Sequence, residues 1–182
     1  MRVVAAVFVA VLLLVPGCSP ISVKTDFDPS ADFSTLHTYQ WIPFKGGDDA
    51  LAKAPLVQKR AMNAVDKALA AKAYRLLADG VPDFYVAVHA GVQDKINVTD
   101  YGYAYGGWWG PYGPYGHNID VSYYKEGTVF VDVIQKRADK YELMWRGAGT
   151  GMVAPPDDPQ AAQEKADAVA ARILKDFPPE KK

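Results

Sequence analysis

The stretch that decides the fold is Phe84-Tyr85-Val86-Ala87-Val88-His89-Ala90-Gly91-Val92, the clearest strand signal in this chain of 182 residues. Every second residue in it is apolar, so that one face would carry only apolar side chains. An alternation with a period of two is typical of a β-strand that buries one face. We therefore predict a strand whose apolar face packs against a second layer and carries Phe84, Val86, Val88, Ala90 and Val92.

A second strand, Thr128–Ile134, is largely apolar on both faces, which indicates a central strand of a sheet. Asp132 lies within this strand and needs a partner if it is buried. Lys and Arg residues are available, but the sequence does not choose among them. A polar turn at Arg137–Lys140 leads to a last strand, Tyr141–Val153, in which alternation predicts a buried Trp145 and a solvent-facing Arg146. We expect this strand to be loosened by Gly147, Gly149 and Gly151.

Two more strands are predicted before these, at Ile21–Phe27 and Leu36–Ile42. A helix is predicted to begin near Pro55, because proline is favoured in the first turn of a helix. It has an apolar stripe that includes Val57 and a polar face that includes Asp66. A final amphipathic helix spans Ala162 to Phe177. Two amphipathic helices need a sheet to cover their apolar faces. We predict an α+β fold over residues 21–178, with a mostly antiparallel sheet of about five to seven strands and both helices on one face.

The beginning of the chain is typical of a bacterial secretion signal. Met1-Arg2 is basic, and Val3–Val15 is apolar throughout but shorter than the about 20 residues that span a bilayer. The next residues, Pro16-Gly17-Cys18, complete a segment that resembles a lipobox, although proline is unusual at its position. We predict a signal peptide at 1–17, followed by a lipidated cysteine and short tether at 18–20.

Cys18 is the only cysteine, so no disulfide can form within the chain. The lipobox resemblance implies a diacylglyceryl group on its sulfur and, usually, an acylated (palmitate-type) amino terminus. Ser19 follows in place of the aspartate that commonly retains such proteins in the inner membrane. We therefore expect a lipid anchor in the outer membrane, with the domain facing the periplasm. The alternative is an ordinary signal peptide with an incidental cysteine.

The composition argues against nucleic acid as a partner. Removal of the 17 signal residues leaves 165 of the 182 residues and changes the formal net charge from −1 to −2, because Arg2 is lost. A nucleic-acid-binding domain would instead carry a basic patch.

Residues 101–117 form an unusual segment, rich in glycine and aromatic residues and without Lys, Arg, Asp or Glu. One interpretation is a mobile hairpin tip with no function. The other is a contact loop, because Tyr and Trp combine a flat apolar ring with a polar group and suit sugars, proteins or the lipid–water interface. The candidate contact residues are Tyr101, Tyr103, Tyr105, Trp108, Trp109, Tyr112 and Tyr115.

The sequence predicts no catalytic residue, metal site or cofactor. The three histidines, His37, His89 and His117, are far apart in the chain and lie in no metal-ligand motif. Three aspartates, Asp26, Asp28 and Asp32, have some of the spacing of a calcium loop, but its fifth position is Ser30. We expect these carboxylates to cap turns.

Several short segments, taken in order, resemble the bacterial lipoproteins of the domain-of-unknown-function family 4136 over essentially the whole mature chain. One departure from that family is Ala73, where relatives usually have a glycine after the helix. Glycine suits a left-handed residue at that point, and alanine should cost about 1 kcal/mol or end the helix differently. The segments are Asp26-Phe27-Asp28, Asp32-Phe33-Ser34, Thr38-Tyr39-Gln40-Trp41, Ala71-Lys72-Ala73-Tyr74, Glu126-Gly127-Thr128, Met144-Trp145-Arg146-Gly147 and Ile173–Pro179.

The resemblance implies no activity that can be assigned to particular residues. Our first expectation is a non-enzymatic structural or interaction module of the cell envelope, bound to the membrane through Cys18, with an envelope protein or glycan as a possible partner. The alternative is a domain that binds a glycan or a small amphiphile through the aromatic loop.

Overall fold

The computed structural model describes residues 21–43, 49–100, 119–137, 140–152 and 158–180, with only the backbone at 94–100 and 119–125. The elements in chain order are β1 (Ser22–Phe27), β2 (Thr38–Trp41), α1 (Pro55–Ala70), β3 (Arg75–Leu76), β4 (Phe84–Asp100), β5 (Ile119–Arg137), β6 (Lys140–Met152) and α2 (Pro159–Ile173), which continues into a short 3-10 turn at Leu174–Asp176.

The six strands form one sheet in the order β1-β6-β5-β4-β2-β3. The pairs β1–β6, β6–β5 and β5–β4 are antiparallel, whereas β2 runs parallel to both β4 and β3. The predicted α+β fold with a mostly antiparallel sheet is confirmed. β5 lies inside the sheet between β4 and β6, as its two apolar faces indicated.

Both helices pack on the same face of the sheet. The alternating residues of β4 from Phe84 to Ala90 lie in this core, as predicted, together with Val131 and Val133 of β5. Val92, also predicted on the buried face, is instead about half exposed. The core includes an aromatic cluster around Phe177. The Phe177 ring centroid lies 5.1 Å from that of Trp145 and 5.4 Å from that of Tyr74. Each such buried side chain contributes about 1.5–3 kcal/mol to folding.

The helix ends follow local sequence signals. Pro55 opens α1, as predicted, and the Asp158 carboxylate caps α2 by accepting hydrogen bonds from two backbone N–H groups. After α1, Ala73 has a φ of +67°, the left-handed conformation for which glycine was expected. The chain therefore adopts the turn predicted for the family with an alanine in place of glycine.

Asp66 was expected on the solvated face of α1, and this prediction was wrong. Its Oδ1 atom accepts hydrogen bonds from the Tyr39 hydroxyl (2.6 Å) and from Trp41 Nε1 (2.9 Å), which join α1 to β2. Burial, together with the Asp66 carboxylate, raises the pKa of Tyr39. Val57, expected in the apolar stripe, is about half exposed.

The glycines of β6 allow close packing rather than loosening the strand. A Cβ atom added to Gly147 would lie 2.6 Å from Ile173 Cγ2, and one added to Gly149 would lie 2.8 Å from Ile173 Cδ1. Ile173 is almost fully buried. The missing side chains therefore let α2 approach the sheet.

β4 and β5 extend beyond the predicted strand segments Phe84–Val92 and Thr128–Ile134, because residues 93–100 and 119–127 are paired as well. Their pairing continues to Asp100 and Ile119, whereas β6 stops pairing with β5 at Met152, opposite Glu126. Residues 94–100 and 119–125 thus form a two-stranded extension, here called the ribbon. Its seven residue pairs extend about 24 Å beyond the end of β6 at about 3.4 Å per residue. Neither described helix has the length and hydropathy needed to cross a membrane.

Candidate functional site

The face of the sheet opposite the helices carries a group of charged and aromatic residues. In the described part of the chain, both helices lie on the other side. Alternation along the three central strands places Ala87 and His89 of β4, Phe130 and Asp132 of β5, and Arg146 of β6 on this open face. His89 and Asp132 are nevertheless buried.

Asp132 of β5 and Arg146 of β6 form a bidentate ion pair. Arg146 Nε donates to Asp132 Oδ1 at 2.6 Å, and Arg146 Nη2 donates to Oδ2 at 2.7 Å. The Asp132 side chain is only 4% exposed, but that of Arg146 is 39% exposed. The carboxylate is therefore enclosed, whereas part of the guanidinium meets solvent.

Two further side chains complete this group, which we call the Asp132 cluster: His89, Phe130, Asp132 and Arg146. His89 Nε2 lies 3.3 Å from Asp132 Oδ2. The imidazole stacks on the Phe130 ring with a centroid distance of 4.7 Å and an interplanar angle of 10°. The Arg146 guanidinium carbon lies 5.5 Å from the centre of the same ring, a distance at which a cation is attracted to an aromatic face.

The charges of the cluster stabilise one another. Burial alone would raise the pKa of the Asp132 carboxyl, but the hydrogen bonds from Arg146 and the nearby His89 imidazole outweigh burial and hold this pKa below its usual value. The same carboxylate raises the pKa of Arg146. At neutral pH the pair is therefore an ionised unit held in one geometry.

Among the described residues, two hollows flank the cluster on the open face. One, of about 340 Å³, is bordered by Asp132 and Arg146 and by the mainly apolar residues Ile42, Pro43, Ala87, Ile134, Tyr141 and Leu143. The other, of about 410 Å³, is lined by Ala50, Lys53, Gly91, Val92, Gln93, Glu126, Thr128 and Phe130. Tyr141 and Leu143 are both about half exposed. The open face therefore offers apolar surface next to a partly exposed guanidinium.

A β-bulge brings Arg146 to Asp132. Arg137 pairs with Lys140 at the turn, and counting back along both strands would place Asp132 opposite Trp145. The register shifts after Ile134, so that Val133 pairs with Trp145 and Asp132 with Arg146. The prediction of a buried Trp145 is confirmed, but Arg146 does not simply point to solvent, because its guanidinium binds the buried carboxylate.

The partner of Asp132 could not be chosen from the sequence, and His89 was given no specific role there. Met144 and Trp145 are adjacent apolar residues, and both are buried. Val86, Ala87 and Val88 of β4 are also buried, however, in an unbroken register, so two adjacent apolar residues alone do not identify the bulge.

The other residues singled out from the sequence are the lipidation site, the aromatic contact residues and the aspartates expected to cap turns. Cys18 and the aromatic residues Tyr101, Tyr103, Tyr105, Trp108, Trp109, Tyr112 and Tyr115 lie outside the described residues. The turn-capping role is confirmed for two carboxylates: Asp28 accepts hydrogen bonds from Ser30, and Asp32 from Ser34. Within the described ranges, no group of three or more His, Cys, Asp or Glu side chains is placed to hold a metal ion.

Comparison with solved structures supports the fold. A PDZ domain protein from Parabacteroides distasonis ATCC 8503 superposes with a TM-score of 0.52 and 10% identity over 90% of this chain. The match spans only 36% of that longer protein. Two PelC dodecamer structures from Paraburkholderia phytofirmans give TM-scores of 0.38 and 0.41, at 12% and 13% identity, over 85% of this chain and 95% and 96% of theirs. At 10% identity the first of these comparisons concerns the fold alone, and the support for the fold does not include the two PelC structures.

No curated protein matches the chain. A family model does, over residues 23–179, which is nearly the whole folded body from β1 to the end of the described chain. The resemblance seen in the short segments is thereby confirmed for the domain. The chain belongs to the family described as domain of unknown function (DUF4136).

Proposed function

We propose that this protein is a lipid-anchored, non-enzymatic structural or interaction module of the cell envelope, held through Cys18 at the outer membrane and facing the periplasm. The observation that carries the proposal is the segment Met1–Cys18, with its basic start, apolar run and Gly17-Cys18 ending. Acyl chains on Cys18 would give stable anchoring without a membrane-spanning helix, since each buried CH₂ contributes about 0.8 kcal/mol.

The start of the folded domain is compatible with a close anchor. Arg172 Nη2 donates a hydrogen bond to the Ile21 carbonyl oxygen at 2.8 Å, so that Ile21 is held against α2. Only residues 18–20 separate the anchor from this point, and three residues reach about 10 Å at most. Such a tether would keep the domain next to the lipid surface.

A binding or structural role suits the chemistry of the Asp132 cluster better than catalysis does. Both oxygens of the Asp132 carboxylate accept hydrogen bonds from Arg146, and its pKa is lowered. A general base works best with a pKa near the working pH, so this carboxylate is a poor proton acceptor. The pair instead fixes the geometry of an exposed surface.

The anchor is tested by intact-protein mass spectrometry of membrane fractions from cells that express the wild type or Cys18→Ala. The wild type should begin at Cys18 and carry the mass of a diacyl or triacyl modification, which the variant should lack. Crosslinking of the wild type in whole cells would then identify its neighbours. An unlipidated, soluble wild-type chain would refute the proposal.

A second candidate function is the binding of a glycan or a small amphiphile through the loop at 101–117. It is favoured by the seven aromatic residues in this uncharged sequence, which joins the two strands of the ribbon. Replacement of Trp108 and Trp109 by alanine should then weaken binding to envelope fractions. Tyr141→Ala, at an exposed aromatic residue of β6, is the matched control. Unchanged binding by the double variant would contradict this function.

A further inference from the structure

The hollow of about 340 Å³ beside the Asp132 cluster is mainly apolar and carries its charges at one place. Its two charged residues are Asp132 and Arg146, which lie opposite each other on β5 and β6. Sites for small molecules usually combine an apolar wall with a few polar groups that fix the orientation of the ligand. Among the described residues, the other side chains that line the hollow are Ile42, Pro43, Ala87, Ile134, Tyr141 and Leu143.

Arg146 has N–H groups that Asp132 does not use. A guanidinium carries five N–H donors, and the two hydrogen bonds to Asp132 come from Nε and Nη2. The Arg146 side chain is 39% exposed and borders the hollow, so that its other donors can meet an anion there. Asp132 also holds the guanidinium in place, which reduces the ordering cost of binding. Asp26 lies opposite Arg146 as well, but on β1, on the side of β6 away from the hollow.

The hollow offers few hydrogen-bond partners besides this guanidinium. β4, β5 and β6 pair with one another beneath it, so their backbone N–H and C=O groups are already engaged. Apart from the ion pair, the Tyr141 hydroxyl is the polar side-chain group among the described lining residues. A glycan or a peptide would lose hydrogen bonds to water here without replacing them, which is unfavourable. An alkyl chain has no such bonds to lose and is stabilised by burial.

A carboxylate is the head group that matches the cation of the hollow. The guanidinium is planar, carries one positive charge and can bind a planar carboxylate through two parallel N–H groups. We propose that the hollow binds a single-chain amphiphile with a carboxylate head, a fatty acid in chemical class, with the head on Arg146 and the chain against Ile134 and Leu143. This ligand goes beyond the proposed envelope function and does not depend on the lipidation of Cys18.

The test uses the full mature chain, residues 18–182, with Cys18→Ala, so that the protein carries no acyl chain of its own. Dodecanoate, below the concentration at which it forms micelles, is titrated into this protein in a calorimeter. Leu143→Gln should weaken its binding about tenfold, whereas Leu76→Gln should leave it within about twofold. Leu76 is the matched control because it is exposed to a similar extent but lies on β3 at the edge of the sheet. Equal effects of the two substitutions, or no saturable binding by the unsubstituted hollow, would overturn the proposal.

A second substitution separates the hollow from the loop at 101–117 and covers the case in which Leu143→Gln does not fold. Tyr141→Ala, which serves as the control for the loop, should here weaken dodecanoate binding, because Tyr141 lines the hollow. Loss of binding on replacement of Trp108 and Trp109 by alanine, with binding retained in Tyr141→Ala, would place the ligand on the loop and overturn the proposal. Urea unfolding establishes that each variant is folded.

The carboxylate head is tested with the combined variant Asp132→Leu and Arg146→Met, which lacks the guanidinium but leaves no unpaired charge. It should bind dodecanoate about tenfold more weakly, while the binding of dodecyl maltoside, which has the same chain and an uncharged head, should not fall. Unsubstituted Asp132 and Arg146 should favour dodecanoate over both dodecyl maltoside and dodecyl phosphate. Equal or tighter binding of either of these two probes would overturn the carboxylate head. The proposed anchor at Cys18 would be unaffected by any of these failures, because the protein tested carries no lipid.

Discussion

Asp132 of β5 and Arg146 of β6 lie directly opposite each other and share two hydrogen bonds, of 2.6 and 2.7 Å. Loss of one partner of a buried ion pair costs more than loss of both, because the remaining charge is left without a counter-ion. The pair therefore lends itself to a double-mutant cycle.

We expect Arg146→Met to lower the free energy of unfolding by about 2–3 kcal/mol, somewhat less than for a fully buried pair because Arg146 is partly exposed. Asp132→Leu combined with Arg146→Met should recover most of this loss, since no unpaired charge remains. Urea unfolding of the wild type, both single variants and the double variant measures the effect. A double variant no more stable than Arg146→Met would contradict the interpretation.

The same pair predicts how stability depends on acid. The folded-state pKa of Asp132 is lowered, below the value of about 3.9 for an unfolded aspartate. The stabilisation is therefore fully present above about pH 4 and is lost as the pH falls through the folded-state pKa. The free energy of unfolding should decrease more steeply below pH 4 in the wild type than in Asp132→Asn. Parallel curves for the two proteins would argue against this contribution.

Ala73 offers a stabilising substitution. Its φ of +67° is unfavourable for a residue with a Cβ atom, by about 1–2 kcal/mol, whereas glycine adopts it freely at some cost in the unfolded state. Ala73→Gly should raise the free energy of unfolding by about 0.5–1 kcal/mol in thermal or urea unfolding. Ala71→Gly is the control. Ala71 has a right-handed helical conformation, so glycine at this position should lower the free energy of unfolding. A destabilised Ala73→Gly variant would exclude strain at this position.

Gly147 tests the close packing of α2 on β6. An added methyl group would meet Ile173 and Trp145, both almost fully buried, and overpacking of this kind costs about 1–3 kcal/mol. Gly147→Ala should therefore lower the melting temperature clearly. Gly91→Ala is the matched control on β4, because a Cβ atom there meets nothing within 4 Å. Equal effects of the two substitutions would show that the packing at Gly147 can relax.

The sequence predicted those parts of the fold that depend on local pattern. The alternation from Phe84 identified β4, and the apolar faces around Val131 placed β5 inside the sheet. The parallel pairing of β2 with β4 was not predicted, because it depends on contacts between residues such as Tyr39 and Phe84 that lie far apart in the chain. The partner of Asp132 was left open for a similar reason, since one extra residue in β6 changes every pairing beyond it.

The bulge has a further consequence for how this domain can vary. Met144 has no partner on β5 in the register. The alternation of inward- and outward-facing residues along β6 is therefore shifted by one residue between the turn and Trp145. A deletion of one residue between the turn and Trp145 could be absorbed by removal of the bulge, with Trp145 still inward and Arg146 still beside Asp132. A change of one residue in the turn and the gain or loss of the bulge can therefore cancel each other in the register. Among homologous sequences, a change of one residue in the turn should be accompanied by gain or loss of the bulge.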